Sequence, residues 1–165
     1  MEIEVIKGSI MEAEAEAIVN PANSHGWMGG GVAGVIKRGA GKEAEKEAVA
    51  QAPIPVGGAC LTSGGKSKFK WIIHAPTMFN PAEKIPAANV GLAAKAAVNL
   101  ADDKGIVSLA VPGMGTGVGG VKPMDAAKAM IKEIRGYQAK SLKKVILIDI
   151  NDGMIEAWKR ELSLT

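Results

Sequence analysis

The sequence predicts an α/β fold in which a parallel or mixed sheet carries helices on both faces. Short apolar runs typical of strands alternate along the chain with longer runs typical of helices. Two glycine-rich loops, residues 29–34 and 113–120, each stand between a strand-like run and a helix-like run. The 165 residues are 47% hydrophobic and 22% charged, which is typical of one soluble domain with a buried core.

Local patterns predict each element in the first half of the chain. In chain order these elements are strands at residues 3–7 and 17–20, then helices at residues 31–38 and 42–51. The first strand alternates partly and ends at Gly8, whereas the second is apolar enough for burial on both faces. Gly39 is the expected C-cap of the first helix. The second helix is Ala-rich, and Pro53 stops it.

Strands and helices alternate more regularly in the second half. In chain order we expect strands at residues 59–63 and 71–75, a helix at 86–104, a strand at 106–111, a helix at 123–137, a strand at 144–150 and a helix through residue 162. Pro86 and Pro123 suit the first turn of a helix, and Gly105 suits a helix end. Asn151 or Asp152 caps the last helix. No repeat or long linker divides the chain, so we expect residues 1–165 to form a single domain.

Charge, aromatic content and cysteine content narrow the classes of function. A net charge of +3 and a pI near 9.0 favour an anionic ligand without forming the dense basic stripe of a dedicated nucleic-acid binder. Aromatic residues, at 4%, are too scarce to suggest a base-stacking platform. Cys60 is the single cysteine, and with two histidines it leaves too few ligands for structural zinc, so we expect no metal. An acidic start and the lack of a membrane-length apolar run predict a cytoplasmic protein with no membrane partner.

Two familiar nucleotide-binding motifs fit the sequence poorly. Both glycine-rich loops contain G-x-G-x-x-G, but the first begins well after Val19 and neither is followed by an acid at the Rossmann distance. Residues 65–67 (GKS) resemble the end of a Walker A loop, yet Cys60 occupies the place of its other fixed glycine. Glycine allows backbone N–H groups to crowd round an anion, so the two loops suggest a ligand with more than one phosphate.

Three ordered segments resemble the macro domain family. Residues 20–24 (NPANS) precede residues 29–36 (GGGVAGVI), residues 71–75 (WIIHA) resemble a central strand ending in histidine, and residues 111–120 (VPGMGTGVGG) resemble a strand followed by P-x-x-G-T-G. The likeness spans the chain from Gly8 to the last helix. It implies a three-layer α/β/α sandwich around a mixed, mostly parallel sheet. It also implies an ADP-ribose cleft at the C-terminal ends of the strands.

The resemblance also implies a set of site residues. Backbone N–H groups of residues 30–32 would face the pyrophosphate and the distal ribose, and residues 113–118 would wrap the other side of the diphosphate. Asn23 matches the asparagine beside the distal ribose and is the catalytic candidate. The ligand-binding candidates are Ser9, Ile10, Asn20, Asn23, Gly30, Gly31, Val32, Ala33, Gly113, Met114, Gly115, Thr116, Gly117, Val118, Asn151 and Asp152. For Asn20 and Asn23 an Asx turn is the alternative, and for His74 a structural role is expected.

Two positions depart from the family pattern. Ser9 stands where much of the family has an aspartate that binds the adenine amino group, and a neutral acceptor forms a weaker hydrogen bond. Asn151 or Asp152 would compensate near the adenine. Ala33 stands where the strongly hydrolytic branch has an aspartate that helps activate water. Because loss of a general base costs about 10²–10⁴ in rate, any hydrolysis would depend on a water held by Asn23 and the ligand's own phosphate.

The loop between the two asparagines and the first glycine run leaves further alternatives open. Trp27 and Met28 either cover the distal ribose or pack against the neighbouring helix. His25 is expected to be exposed on this loop. It is a poor candidate for a general base because the sequence supplies no partner to orient it.

The sequence therefore predicts a module that binds ADP-ribose or ADP-ribosylated macromolecules, with weak substrate-assisted hydrolysis at most and no cofactor. One alternative is a true ADP-ribosyl hydrolase or ADP-ribose-1''-phosphate phosphatase. Another is a module that binds nucleic acid or poly-ADP-ribose through a basic face. The basic residues in question are Lys37, Arg38, Lys66, Lys68 and Lys70, for which a solvated face is the simpler interpretation.

Overall fold

In the computed structural model, which describes residues 1–164, six strands form one mixed sheet. They are β1 Glu2–Lys7, β2 Ala17–Asn23, β3 Cys60–Ser63, β4 Trp71–Met78, β5 Ser108–Val111 and β6 Lys144–Asp149. Their order across the sheet is β1-β6-β5-β2-β4-β3, and only β3 runs antiparallel to its neighbour. The predicted α/β class with a mostly parallel sheet is confirmed.

Helices cover both faces of the sheet. They are α1 Gly31–Ala40, α2 Lys42–Gln51, α3 Ala87–Asp103, α4 Pro123–Gly136 and α5 Asp152–Ser163, with a short 3₁₀ helix at Ile10–Glu12. Alternate residues of each strand feed two separate apolar cores, as the period of a strand requires. In β2, Val19 joins the core under α3, α4 and α5, whereas Ile18 joins the core under α1. The three-layer α/β/α sandwich follows from this division.

Small side chains bring α3 close to the sheet. Its buried residues are Val90, Gly91, Ala93, Ala94, Ala96, Ala97, Val98, Ala101 and Asp102. Their spacing of three and four residues places most of them on one stripe, and alanine also favours the helical state. None of the helices within residues 1–164 is long and apolar enough to cross a bilayer.

β2 and β4 both continue past a proline, which the sequence does not predict. β2 was expected to end at residue 20 but runs through Pro21 to Asn23, and β4 was expected to end at residue 75 but runs through Pro76 to Met78. Pairing of β2 with β5 stops at Ile18, and β3 pairs with β4 only as far as residue 74. Each proline therefore lies where one side of its strand has no partner, so a missing N–H leaves no ladder position empty.

Several predicted helix ends are also corrected. The C-cap of α1 is Gly41, with φ 92°, rather than Gly39, which lies inside the helix. Pro86 precedes α3 as its N-cap, and the helix begins at Ala87. Residues 106–107 are not strand, because the Ile106 N–H bonds to the Ala101 carbonyl at the end of α3.

Candidate functional site

The two glycine-rich loops lie at the same edge of the sheet because β2 and β5 are adjacent and parallel. The first glycine-rich loop follows β2, and the second follows β5, so both leave the C-terminal ends of their strands. A crevice at this edge is lined by Gly8, Ser9, Ile10, Val32, Val35, Pro112, Ile148, Asp149 and Ile150. The segments after β1, β2, β5 and β6 therefore all contribute to one site.

The first loop presents the uncapped N-terminus of α1. Gly30 is the N-cap residue and has no side chain to bind the helix N–H groups. The first backbone bond of the helix runs from the Gly34 N–H to the Gly30 carbonyl at 3.2 Å. The N–H groups of residues 31–33 consequently have no acceptor within the described chain. A helix N-terminus with free N–H groups and a positive dipole end attracts an anion.

The second loop is braced at its ends and open in the middle. Gly113 donates its N–H to Asp149 Oδ2 at 3.0 Å, and Val121 donates to the Gly115 carbonyl at 3.0 Å. Between these braces the N–H groups of residues 114–118 bind no acceptor in residues 1–164. The Met114 side chain is fully buried in the core, so this residue offers only its backbone to a ligand. The Gly113 N–H, by contrast, is already used inside the protein.

Asp149 is a site residue that the sequence did not reveal. Its Oδ2 accepts from Gly113, and its Oδ1 accepts from the Asn151 N–H at 2.9 Å. One carboxylate thus ties the second loop to the start of α5. The available signal was an acid at the end of a buried strand immediately before a helix cap.

Asn23 shapes the loop that leads to α1. Only 8% of this residue is exposed. Its Oδ1 accepts from the His25 N–H at 3.0 Å, and its Nδ2 donates to the Trp27 carbonyl at 2.9 Å. The first contact is the Asx turn weighed as the alternative, and it holds the loop directly after β2. A contact between Asn23 and a ligand stays a prediction.

Asn20 belongs to the interior of the sheet. It is fully buried, and its Nδ2 lies 3.1 Å from His74 Nδ1, while His74 Nε2 lies 2.8 Å from Thr62 Oγ1. Because the Asn20 amide donates, Nδ1 accepts and Nε2 carries the imidazole proton. Burial lowers the pKa of His74 to about 4, although the Glu47 carboxylate acts in the opposite direction. His74 is structural as expected, but the burial of Asn20 opposes its predicted ligand contact, and it forms no Asx turn.

The segment after β1 is held by a capping box. Ser9 Oγ accepts from the Met11 N–H at 3.3 Å, and Glu12 Oε1 accepts from the Ser9 N–H at 2.9 Å. Ser9 lines the crevice, and its hydroxyl can still donate its proton. Ile10 is almost fully buried and offers the crevice an apolar contact.

The two residues expected to compensate for Ser9 both have partners in the protein. Asn151 is the N-cap of α5, as predicted, and its Oδ1 accepts from the Met154 N–H at 3.0 Å. Asp152 forms an exposed ion pair with Lys7 at 2.7 Å. Their contact with an adenine stays a prediction.

The loop after Asn23 separates into a buried and an exposed part. Met28 is buried against the helices, and its N–H donates to Glu45 Oε2 at 2.6 Å. Burial would raise the pKa of Glu45, but hydrogen bonds from Lys37 and the Met28 amide outweigh it and lower this pKa. Trp27 is 49% exposed and stacks on His25 at 4.2 Å between ring centroids.

His25 is half-buried rather than exposed. Its Nε2 lies 2.9 Å from Asn80 Oδ1, so the structure supplies the orienting partner that the sequence lacked. The Phe79 ring is tilted by 59° to the His25 ring, with 5.1 Å between centroids. These contacts join the loop after β2 to the segment after β4.

Other candidates from the sequence have internal roles. Two of the five basic residues, Lys37 and Lys68, form ion pairs with Glu45 at 2.7 Å and Glu14 at 3.1 Å. Burial, with a further contribution from Glu47, raises the pKa of the Cys60 thiol to about 11, so it is a poor nucleophile. Among residues 1–164 no group of three or more His, Cys, Asp or Glu is placed to hold a metal ion.

Known proteins resemble this chain in sequence and in fold. The macro domain family model matches residues 19–130. An uncharacterized protein from Aquifex aeolicus is 57% identical over 164 residues, covering 99% of each chain. A variant of the Oceanobacillus iheyensis macrodomain with ADPR has a TM-score of 0.86 at 24% identity, over 98% of this chain and 91% of that one. The Trypanosoma brucei macrodomain in complex with ADP-ribose has a TM-score of 0.87 at 22% identity, over 98% and 69%.

Proposed function

This chain belongs to the macro domain family, and from that premise we propose that it binds ADP-ribose or ADP-ribosylated macromolecules in the crevice between its two glycine-rich loops. One observation carries the proposal. Two runs of backbone N–H groups have no acceptor in the described chain, at residues 31–33 and at residues 114–118. They belong to loops that follow the C-terminal ends of two adjacent parallel strands. Structural neighbours with this fold bind ADP-ribose.

The diphosphate is the part of the ligand best matched by the crevice. The N-terminus of α1 provides N–H groups and the positive end of the helix dipole on one side. The second loop provides a run of N–H groups on the other, and Gly115 and Gly120 adopt the positive φ of 74° that bends it. In this proposal each glycine-rich loop binds the diphosphate from one side, which accounts for the presence of two such loops in a short chain.

The part of the crevice proposed for the adenine should discriminate only weakly among bases. Ile10, Val32, Val35, Ile148 and Ile150 give the crevice apolar walls suited to a flat ring. Ser9 Oγ, which already accepts from the Met11 N–H, would use its second lone pair to accept from the adenine amino group, and a neutral hydrogen bond is about half as strong as a charge-assisted one. We therefore expect adenine to be preferred over other bases only modestly.

Hydrolysis in this proposal is weak at best. Ala33 lies in the first turn of α1 and has no group that accepts a proton. A water held beside Asn23 and activated by the ligand's own phosphate is the available route. The alternatives of a fast ADP-ribosyl hydrolase or an ADP-ribose-1''-phosphate phosphatase would require a base that this first turn does not provide.

Calorimetry with ADP-ribose, AMP and NAD tests the binding. We expect ADP-ribose to bind more tightly than AMP, because AMP lacks the second phosphate and the distal ribose. An absence of heat at millimolar ADP-ribose would contradict the proposal. Stronger binding to single-stranded RNA, with a steep salt dependence, would favour the nucleic-acid alternative.

Turnover is tested separately with an ADP-ribosylated protein and with ADP-ribose-1''-phosphate. The wild-type chain should release product slowly or not at all. Ala33→Asp places a carboxylate in the first turn of α1 and should raise any measurable rate, by as much as about 10²-fold. Rapid wild-type turnover that disappears in Asn23→Ala would instead support the enzyme alternative.

A further inference from the structure

The segment between β4 and α3, residues 79–85, forms a wall that contacts the loop directly after β2 and the second glycine-rich loop. At its start the Ser24 N–H donates to the Phe79 carbonyl at 3.0 Å, beside the bond between His25 and Asn80. At its end the Ile85 N–H donates to the Gly119 carbonyl at 3.0 Å. No motif in the sequence indicates this wall.

The backbone of this wall includes an unfavourable conformation that neighbouring contacts must stabilise. Ala82 has a φ of 61°, and it is the one non-glycine residue with a positive φ in the described chain. Such a backbone persists only where neighbouring contacts maintain it. Here the Asn80 N–H donates to the Glu83 carboxylate, and the Ile85 side chain packs against Gly115 and Gly119.

This packing brings Lys84 to the second loop. A methyl group at Gly120 would lie 3.1 Å from Lys84 Cδ and 3.4 Å from its Nζ. Lys84 is exposed and forms no ion pair within residues 1–164, unlike Lys37 and Lys68. An unpaired ammonium group thus lies beside a loop whose N–H groups at residues 114–118 also lack acceptors.

The charges near the crevice indicate what Lys84 contributes to binding an anion. Asp149 lines the crevice and carries a negative charge that opposes an anionic ligand. The N–H groups of the loops supply only partial charges. We infer that Lys84 is a specificity-determining residue that supplies full positive charge to the anion bound by the second glycine-rich loop. This inference rests on the proposed function, and it explains how a site built on backbone N–H groups discriminates ligands by charge.

The test compares ADP-ribose binding to the wild-type chain and to Lys84→Gln over a range of salt concentrations. Lys84→Gln should weaken binding about fivefold to tenfold at low salt, and the difference should shrink as salt screens the exposed charge. Lys84→Arg should restore most of the affinity. Binding of adenosine, which carries no phosphate, should not change.

Lys104→Gln is the matched control because it removes the same charge from the other edge of the sheet. Lys104 follows the C-terminus of α3, which returns from the crevice edge to the start of β5. Equal ADP-ribose affinity of Lys84→Gln and wild type at low salt would overturn the inference, as would an equal loss for adenosine. If the wild-type chain itself fails to bind ADP-ribose, the proposed function fails, and the inference fails with it.

Discussion

The side-chain amide of Asn20 donates to Nδ1 of His74 across 3.1 Å between β2 and β4. This bond sets the imidazole tautomer, and Nε2 then donates to Thr62 on β3 at 2.8 Å. Three strands are therefore joined by side chains as well as by their backbone ladders. Asn20 lies on the same strand as Asn23, so the network supports the end of β2 from which the loop to α1 begins.

Stability should fall in acid because His74 is buried as the neutral base. Its pKa is about 4 in the folded chain against 6.5 for an ordinary histidine, so the unfolded chain takes up the proton first. The contribution to stability is complete above pH 6.5 and is lost as the pH falls towards 4, by about 3 kcal/mol in all. Urea unfolding at several pH values measures it. The stability difference between wild type and His74→Gln should narrow over this range, and a constant difference would contradict the explanation.

Asn23→Ala should weaken both the loop and the binding. The variant loses the bonds to His25 N–H and the Trp27 carbonyl, which together are worth about 1–2 kcal/mol of stability. ADP-ribose affinity should fall about tenfold because the loop leads directly to the N-terminus of α1. Thermal unfolding and calorimetry measure the two effects. Asn99→Ala, which removes a bond to Tyr137 at the other end of the fold, should leave affinity unchanged.

Substitutions at Gly115 and Gly117, in the same loop, should affect different properties: stability at Gly115 and ligand binding at Gly117. Gly115 has φ 74°, and a methyl group there would lie 2.8 Å from Val90 Cγ2, so Gly115→Ala should destabilise the chain by about 1–3 kcal/mol. A methyl group at Gly117 would meet no protein atom within 4 Å. Gly117→Ala should therefore keep its stability but bind ADP-ribose more weakly, because the ligand would approach this surface. Normal binding by Gly117→Ala would exclude close contact there.

Asp149→Ala should be costly although it changes one side chain at a strand end. The buried Gly113 N–H and the Asn151 N–H would each lose the acceptor that Asp149 provides. We expect the free energy of unfolding to fall by about 2–3 kcal/mol. Asp152→Ala is the matched control, since it removes an exposed ion pair with Lys7 and should cost under about 1 kcal/mol. Urea unfolding distinguishes them. Similar losses would mean that the Asp149 carboxylate does not hold the loop.

Elements bounded by strong local signals could be predicted from the sequence. α2 spans Lys42–Gln51 as predicted, because an Ala-rich run lies between Gly41 and Pro53. Pro21 and Pro76 each lie one residue past the predicted ends of β2 and β4, and the strands continue through them. Whether a proline is tolerated depends on which side of the strand is paired, and that follows from the sheet order rather than from local sequence.

The positions of the two glycine-rich loops could be predicted from the sequence, because each glycine run lies between a strand-like run and a helix-like run. Both loops leave the same sheet edge because β2 and β5 are neighbours, and Asn23 lies on β2 ahead of the first loop. The contacts of Asp149, Asn80 and Lys84 could not be predicted, because each lies against a segment distant in sequence: Asp149 against Gly113, Asn80 against His25 and Lys84 against Gly120. The burial of Asn20 could not be predicted for the related reason that its partner, His74, lies 54 positions away.

An anion held by main-chain groups has a consequence for how such a pocket changes over evolutionary time. Replacing a side chain cannot remove a peptide N–H, so affinity for phosphate should survive most substitutions that preserve the path of the backbone. In the proposed function, preference among bases would instead depend on replaceable neighbours such as Ser9, and the rate of hydrolysis would depend on the residue at position 33. New specificities can therefore arise one residue at a time without rebuilding the pocket.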